Sequence, residues 1–142
     1  MSDDALLSLH TALVDVREGY RTAIEKAEDP AVLAELRTVD GLHATAHADL
    51  DRILAARGDR PDEDGSLMGT VHKTVITARA AIVGLGEGSL DSFASGEENT
   101  LESYDDALRS EQDPTVKATL SQHRSALAAQ VAKMKTVAAR SS

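Results

Sequence analysis

Apolar residues recur along this chain at the spacing of helices that bury one face. Between Asp3 and about Glu28, Leu6, Leu9, Leu13, Val16, Tyr20, Ile24 and Ala27 fall three or four positions apart, which lines up one side of an α-helix. From Pro30 to about Arg57 a second stripe follows, made of Val32, Leu36, Val39, Leu42, His43, Ala46, Leu50, Ile53 and Leu54. Asp29 and Pro30 separate the two: Asp offers an N-cap oxygen, and Pro fits the first helical position, where no amide proton is needed. A turn this tight predicts an antiparallel hairpin. Ser2 or Asp3 is available to cap the first helix.

Gly58 to Gly65, GDRPDEDG, is polar and rich in turn formers, and predicts a loop. Ser66 to about Gly84 predicts a shorter helix with Leu67, Val71, Val75, Ala78 and Ile82 on one face. Met68, His72, Ile76 and Val83 form a second row beside it, an apolar arc wide for a surface helix. Gly84, Gly86 and Gly88 interrupt the pattern. A third long helix runs from about Ser89 to Glu111, with Leu90, Phe93, Ala94, Leu101, Tyr104 and Leu108 inward. Asp113 and Pro114 then open a fourth, with Val116, Leu120, His123, Leu127, Val131 and Met134 inward.

The two hairpins are copies of one another at an offset of 84 residues. Tyr20, Ala23, Asp29, Pro30, Val32, Ala34 and Leu36 match Tyr104, Ala107, Asp113, Pro114, Val116, Ala118 and Leu120 one for one, and Leu6 matches Leu90. The expected fold is all-α: a four-helix bundle of two repeated antiparallel hairpins, 3–57 and 89–139, joined by a long crossover, 58–88, that contains the shorter helix. In that arrangement the first and fourth helices run one way and the second and third the other.

Composition narrows the possible functions. The 142 residues suit one domain with a real core. With 24 acidic against 15 basic side chains, net charge −9, the chain repels phosphate backbones and anionic membrane surfaces, so neither nucleic acid nor membrane is an expected partner. No cysteine is present, which excludes disulfides, thiolate metal sites and cysteine nucleophiles. The start, MSDDALLSLH, lacks the basic residues and apolar run of a signal peptide, and a cytoplasmic location is expected. GLGEGS lies between helices rather than after a strand, so it is no phosphate loop, and no strand-to-helix turn exists to carry a hydrolase nucleophile.

DVREGY in the first helix, the Asp-Pro turn, the GS opening of the crossover helix and GEENTLESYDDAL before a Pro-initiated last helix resemble an uncharacterised bacterial family of ferritin-like four-helix bundles built on a domain of unknown function. The resemblance spans about Leu6 to Val131, and its most distinctive element is Gly96, Glu97 and Tyr104. It implies the fold and a link to stress physiology, but no established reaction. More distantly the topology is similar to that of ferritins, rubrerythrins and other di-iron carboxylate proteins.

Glu97 is the odd residue in this pattern, a carboxylate in the middle of an apolar stripe. A buried carboxylate needs a partner, because an unpaired charge in an apolar interior is strongly disfavoured. A symmetric di-iron centre needs a Glu from each of two helices and a Glu-x-x-His from each of the other two. Here the counterpart of Glu97 is Leu13, and Asp40-x-x-His43 on the second helix has Arg124-x-x-Leu127 on the fourth, so the symmetric set is missing. His43, Glu97 and His123 remain as a candidate asymmetric site, inward by helical phase and at similar heights. Two imidazoles and a carboxylate can bind iron, manganese or zinc. The competing expectation is structural: Glu97 accepts hydrogen bonds from a histidine or from Tyr20 and fixes register in an Ala/Leu core. His47, one turn after His43, is a further ligand candidate. His10 is expected to cover one end of the core.

The first functional expectation is a non-catalytic bundle acting as a binding or stress-related interaction protein. A homodimer is expected, through Ile76 and Val83 of the crossover helix. The alternative is an iron- or manganese-binding protein with oxidase or peroxide chemistry at His43, Glu97 and His123.

Overall fold

The computed structural model describes residues 3–58 and 89–140, which form four α-helices: α1 (Asp4–Lys26), α2 (Pro30–Ala56), α3 (Ser89–Ser110) and α4 (Pro114–Arg140). The expected crossover helix, with its wide apolar arc and the dimer face drawn from it, lies outside the described residues. No described helix is long and apolar enough to cross a membrane.

Two of the starts repeat one device. Asp29 accepts a hydrogen bond from the amide of Ala31 at 2.8 Å ahead of α2, and Asp113 accepts one from Thr115 at 2.8 Å ahead of α4, each with proline at the first helical position. Aspartate satisfies an amide that no carbonyl can reach, and proline has no amide to satisfy. The start of α1 differs. Asp3 sits at the N-cap position without a side-chain capping bond, and its Oδ1 accepts from Arg57 at 2.7 Å, while Ser2, the other candidate cap, lies outside the described residues. At the far end of α2, Gly58 adopts φ +81°, the left-handed conformation that closes a helix at little steric cost.

α1 packs beside α2 and α3, and α4 beside the same two, which leaves α1 and α4 on one diagonal and α2 and α3 on the other. Named contacts give the directions. Asp3 meets Arg57 and His10 meets Asp51, so α1 and α2 are antiparallel. Glu98 meets Lys135 and Asp105 meets Arg124, so α3 and α4 are antiparallel. His43 meets Glu97 and Arg57 meets Glu111, so α2 and α3 run parallel. The end of α2 and the start of α3 therefore lie at opposite ends of a bundle about 40 Å long, at 1.5 Å per residue.

The core follows the repeat. Leu6 and Leu90, Tyr20 and Tyr104, Ala23 and Ala107, Val32 and Val116, Leu36 and Leu120, and Leu50 and Met134 are buried pair by pair. Each buried leucine contributes about 1.5–3 kcal/mol by leaving water. Val16, Ile24, Leu101 and Leu108, expected on the same stripes, are partly buried at their edges. One end of the bundle is tied by a single cation. Arg57 binds both carboxylate oxygens of Glu111, at 3.0 and 2.7 Å, as well as Asp3. Glu111 also accepts from the amide of Asp113 at 2.9 Å, so the start of α1, the end of α2 and the α3–α4 turn meet there.

Candidate functional site

Glu97 sits about two turns into the third helix's apolar stripe and is 1% exposed. Its Oε2 accepts from the Tyr20 hydroxyl of α1 at 2.9 Å and from His43 Nε2 of α2. Three helices thus meet on one oxygen, and the bond to His43 spans the α2–α3 diagonal through the centre of the core. His43 is equally buried, and the rings of Tyr20 and His43 lie 5.9 Å apart, with Phe93 stacked on the other side of Tyr20 at 5.3 Å. Glu97 Oε1 is buried without a hydrogen-bond partner among the described residues.

Burial raises the Tyr20 hydroxyl well above the usual tyrosine range, and the neighbouring Glu97 charge adds to the effect. The phenol therefore keeps its proton and acts as a donor. Tyr104, the repeat counterpart of Tyr20, is also pushed upward by burial and then by Glu97 and Asp49. In the second hairpin's mirror of this arrangement, Leu13 takes the place of Glu97 and Leu127 that of His43, both buried. The residues present do not fit a symmetric di-iron centre, since alkyl groups fill the positions of its second carboxylate and second imidazole.

His123 has a different partner. It lies at the α2–α4 seam with Nε2 2.7 Å from Asp49 Oδ2, and Arg52 binds the other oxygen of Asp49 at 2.8 Å. The structure brings His43 and Glu97 together and directs His123 to Asp49. The adjacent acidic pairs separate as helical phase requires: Glu98 is exposed and bound to Lys135, while Asp105 and Asp106 bind Arg124 and Arg109.

A second histidine cluster lies between α1 and α2. His10, which is wholly buried rather than covering an end, binds Asp51 through Nε2 at 2.6 Å. His47 Nε2 is 3.5 Å from the other Asp51 oxygen, and the two imidazoles meet edge to face with centroids 4.6 Å apart. His47 is thus grouped with His10 and Asp51 and not with His43. Arg17 lies with Nη1 2.7 Å from His47 Nδ1 and Nε 3.9 Å from Asp40.

The family model described as "Domain of unknown function (DUF2383)" matches residues 2–110, more than half of the chain. The chain belongs to the DUF2383 family. The DUF2383 match contains every residue of both the Glu97 hub and the His10 cluster, and ends ahead of His123 and the fourth helix. Comparison with curated proteins and with solved structures gives no match.

Helical phase points to Glu97, His43 and Tyr20 as inward residues, and the structure joins them. Asp51 and the ring of His10 are missed by the apolar stripes, because Asp51 sits on the half-exposed edge of α2. Hairpin register carries the missing signal: residues equally distant from the Asp29-Pro30 turn face one another, which pairs His10 with Asp51 as it pairs Asp3 with Arg57. The same register brings Arg17 near His47 and Asp40. Glu35 and Gln130, bonded at 2.8 Å and both buried between α2 and α4, carry no comparable cue in the apolar pattern.

Proposed function

We propose that this DUF2383 chain is a ferritin-like bundle that works without catalysis, as a cytoplasmic binding or stress-related interaction module, and that its polar centre sets helix register. Support for the ferritin-like arrangement comes from α2 and α3 running parallel on one diagonal, with the end of α2 and the start of α3 at opposite ends of the bundle. The observation that carries the non-catalytic reading is the double occupancy of Glu97 Oε2. Both donors come from the chain's own core, so Oε2 of Glu97 is already committed to tying α1 and α2 to α3.

The test is the metal content of untagged protein purified without chelator, for the wild type and Glu97→Ala. The expected result is no equivalent of iron or manganese that depends on Glu97. One equivalent present in the wild type and lost in Glu97→Ala, with helix content retained, would overturn the proposal. It would establish instead the metal-binding alternative at His43, Glu97 and His123, for which His123 must leave Asp49.

A further inference from the structure

We propose that His10, His47 and Asp51 bind one divalent first-row transition-metal ion at the edge of the α1–α2 hairpin, and that Arg17 competes with it. The site is separate from the Glu97 hub. Among the described residues these three form the group in which one ligand atom from each lies within 4.8 Å of the others. Two imidazoles and one carboxylate make a donor set suited to zinc, iron(II) or cobalt(II), with positions left over for water.

The distances are close to those an ion needs. A tetrahedral ion about 2.0–2.1 Å from its ligands holds them roughly 3.3 Å apart. His47 Nε2 is already 3.5 Å from Asp51 Oδ2. His10 Nε2 is 2.6 Å from Asp51 Oδ1, a hydrogen bond that must open by under ~1 Å as the ion takes the proton's place. The ring is then neutral with its hydrogen on Nδ1. Burial divides the roles. His10 is held in the core at 0% exposure, whereas the Asp51 side chain is 41% exposed and can both adjust and admit the ion from solvent.

Arg17 gives the site its control. While its Nη1 donates to His47 Nδ1 at 2.7 Å, the hydrogen of a neutral His47 ring must sit on Nε2, the atom the metal would use. A guanidinium at this distance also repels a cation. Arg17 has a second partner in reach. Its Nε and Asp40 Oδ1 are both buried, carry no hydrogen bond and stand 3.9 Å apart. A short swing of Arg17 onto Asp40 satisfies both atoms. It also frees His47 Nδ1 to take the ring hydrogen while Nε2 turns to the metal. Arg17 on His47 and metal on His47 are therefore alternative states of one ring.

The experiment is titration of the metal-stripped, untagged full chain with Zn²⁺ by calorimetry and with Co²⁺ by visible absorption. One equivalent is expected. His47→Ala and Asp51→Asn should each weaken binding more than about tenfold while helix content by circular dichroism is kept. Arg17→Met should bind severalfold more tightly, and Glu97→Ala should keep the full equivalent, which separates this site from the central hub. Affinity unchanged in His47→Ala or Asp51→Asn would overturn the site, as would the lack of saturable binding in the wild type. Weaker binding by Arg17→Met would overturn the competition.

Discussion

Leu13 and Glu97 occupy the same place in the two halves of the bundle, one a fully buried alkyl group and the other a fully buried carboxylate. The pair separates what the helical pattern requires, an inward side chain of this size, from what the carboxylate adds, a partner for Tyr20 and His43. Glu97→Ala leaves both buried donors without their acceptor and is expected to cost on the order of 2–4 kcal/mol. Glu97→Leu restores volume but leaves the same orphans. Adding Tyr20→Phe and His43→Leu, the latter copying Leu127, should recover most of the loss, because an all-apolar core holds no unmet polar group. Urea unfolding of the three variants gives the comparison. A triple variant no more stable than Glu97→Leu would contradict this account.

Neither tyrosine should ionise in the folded protein. Tyr20 and Tyr104 are the only two, and both hydroxyls are raised above the usual range, by burial first. The unfolded chain loses these protons near pH 10 and the folded chain does not, so the stability they contribute is full below about 10 and falls as pH rises beyond it. Absorbance of tyrosinate near 295 nm, followed together with circular dichroism, should rise only as helix content falls. Tyrosinate appearing at full helicity would refute the expectation.

Glu111 should make the bundle acid-sensitive. Arg57, binding it through two bonds, holds its carboxyl below the usual glutamate range, with the Asp113 amide assisting. Asp3 faces the same guanidinium from α1. A depressed carboxyl stabilises the fold above its unfolded pKa of about 4.3, and that contribution disappears as pH falls through the lower folded value. Glu111→Gln should therefore be less stable than the wild type near pH 7, with the gap closing on acidification. The urea midpoint measured at several pH values decides it. A constant gap would remove the role assigned to this carboxylate.

The repeated caps should be energetically alike. Asp29→Ala and Asp113→Ala each remove one side-chain bond to an amide at 2.8 Å and should each cost about 1 kcal/mol in thermal or urea unfolding. A loss several times larger at Asp113 would mean that the neighbouring Arg57 and Glu111 contacts depend on it.

Periodicity and the internal repeat were enough to place four helices, both Asp-Pro starts and the buried stripes, because each of these depends on neighbours within one helix or one turn. The hub was also readable, since helical phase alone turns Glu97, His43 and Tyr20 inward. His123 was not readable to the same degree. Phase sets its direction roughly, but its choice of Asp49 depends on how α2 and α4 slide past one another, and a partly exposed ring at a seam has several carboxylates in reach. Asp3 is similar: it takes the N-cap position that the sequence offers to Ser2 or Asp3, but its contact with Arg57 is brought about by the fold and not by its neighbours in the helix.

The hub bonds also run only from the first hairpin to the second. Two copies of the first hairpin, docked on one another in the same geometry, would set Tyr20 and His43 against Leu13 and leave both donors stranded. Two copies of the second would face Glu97 with Leu127 and bury its charge with no imidazole to meet it. The polar layer therefore acts as a lock and key between the two repeated halves, favouring the pairing of a first hairpin with a second over the pairing of like hairpins. The triple apolar variant lacks that discrimination, and size-exclusion with light scattering should find it forming dimers through like-hairpin docking more readily than the wild type.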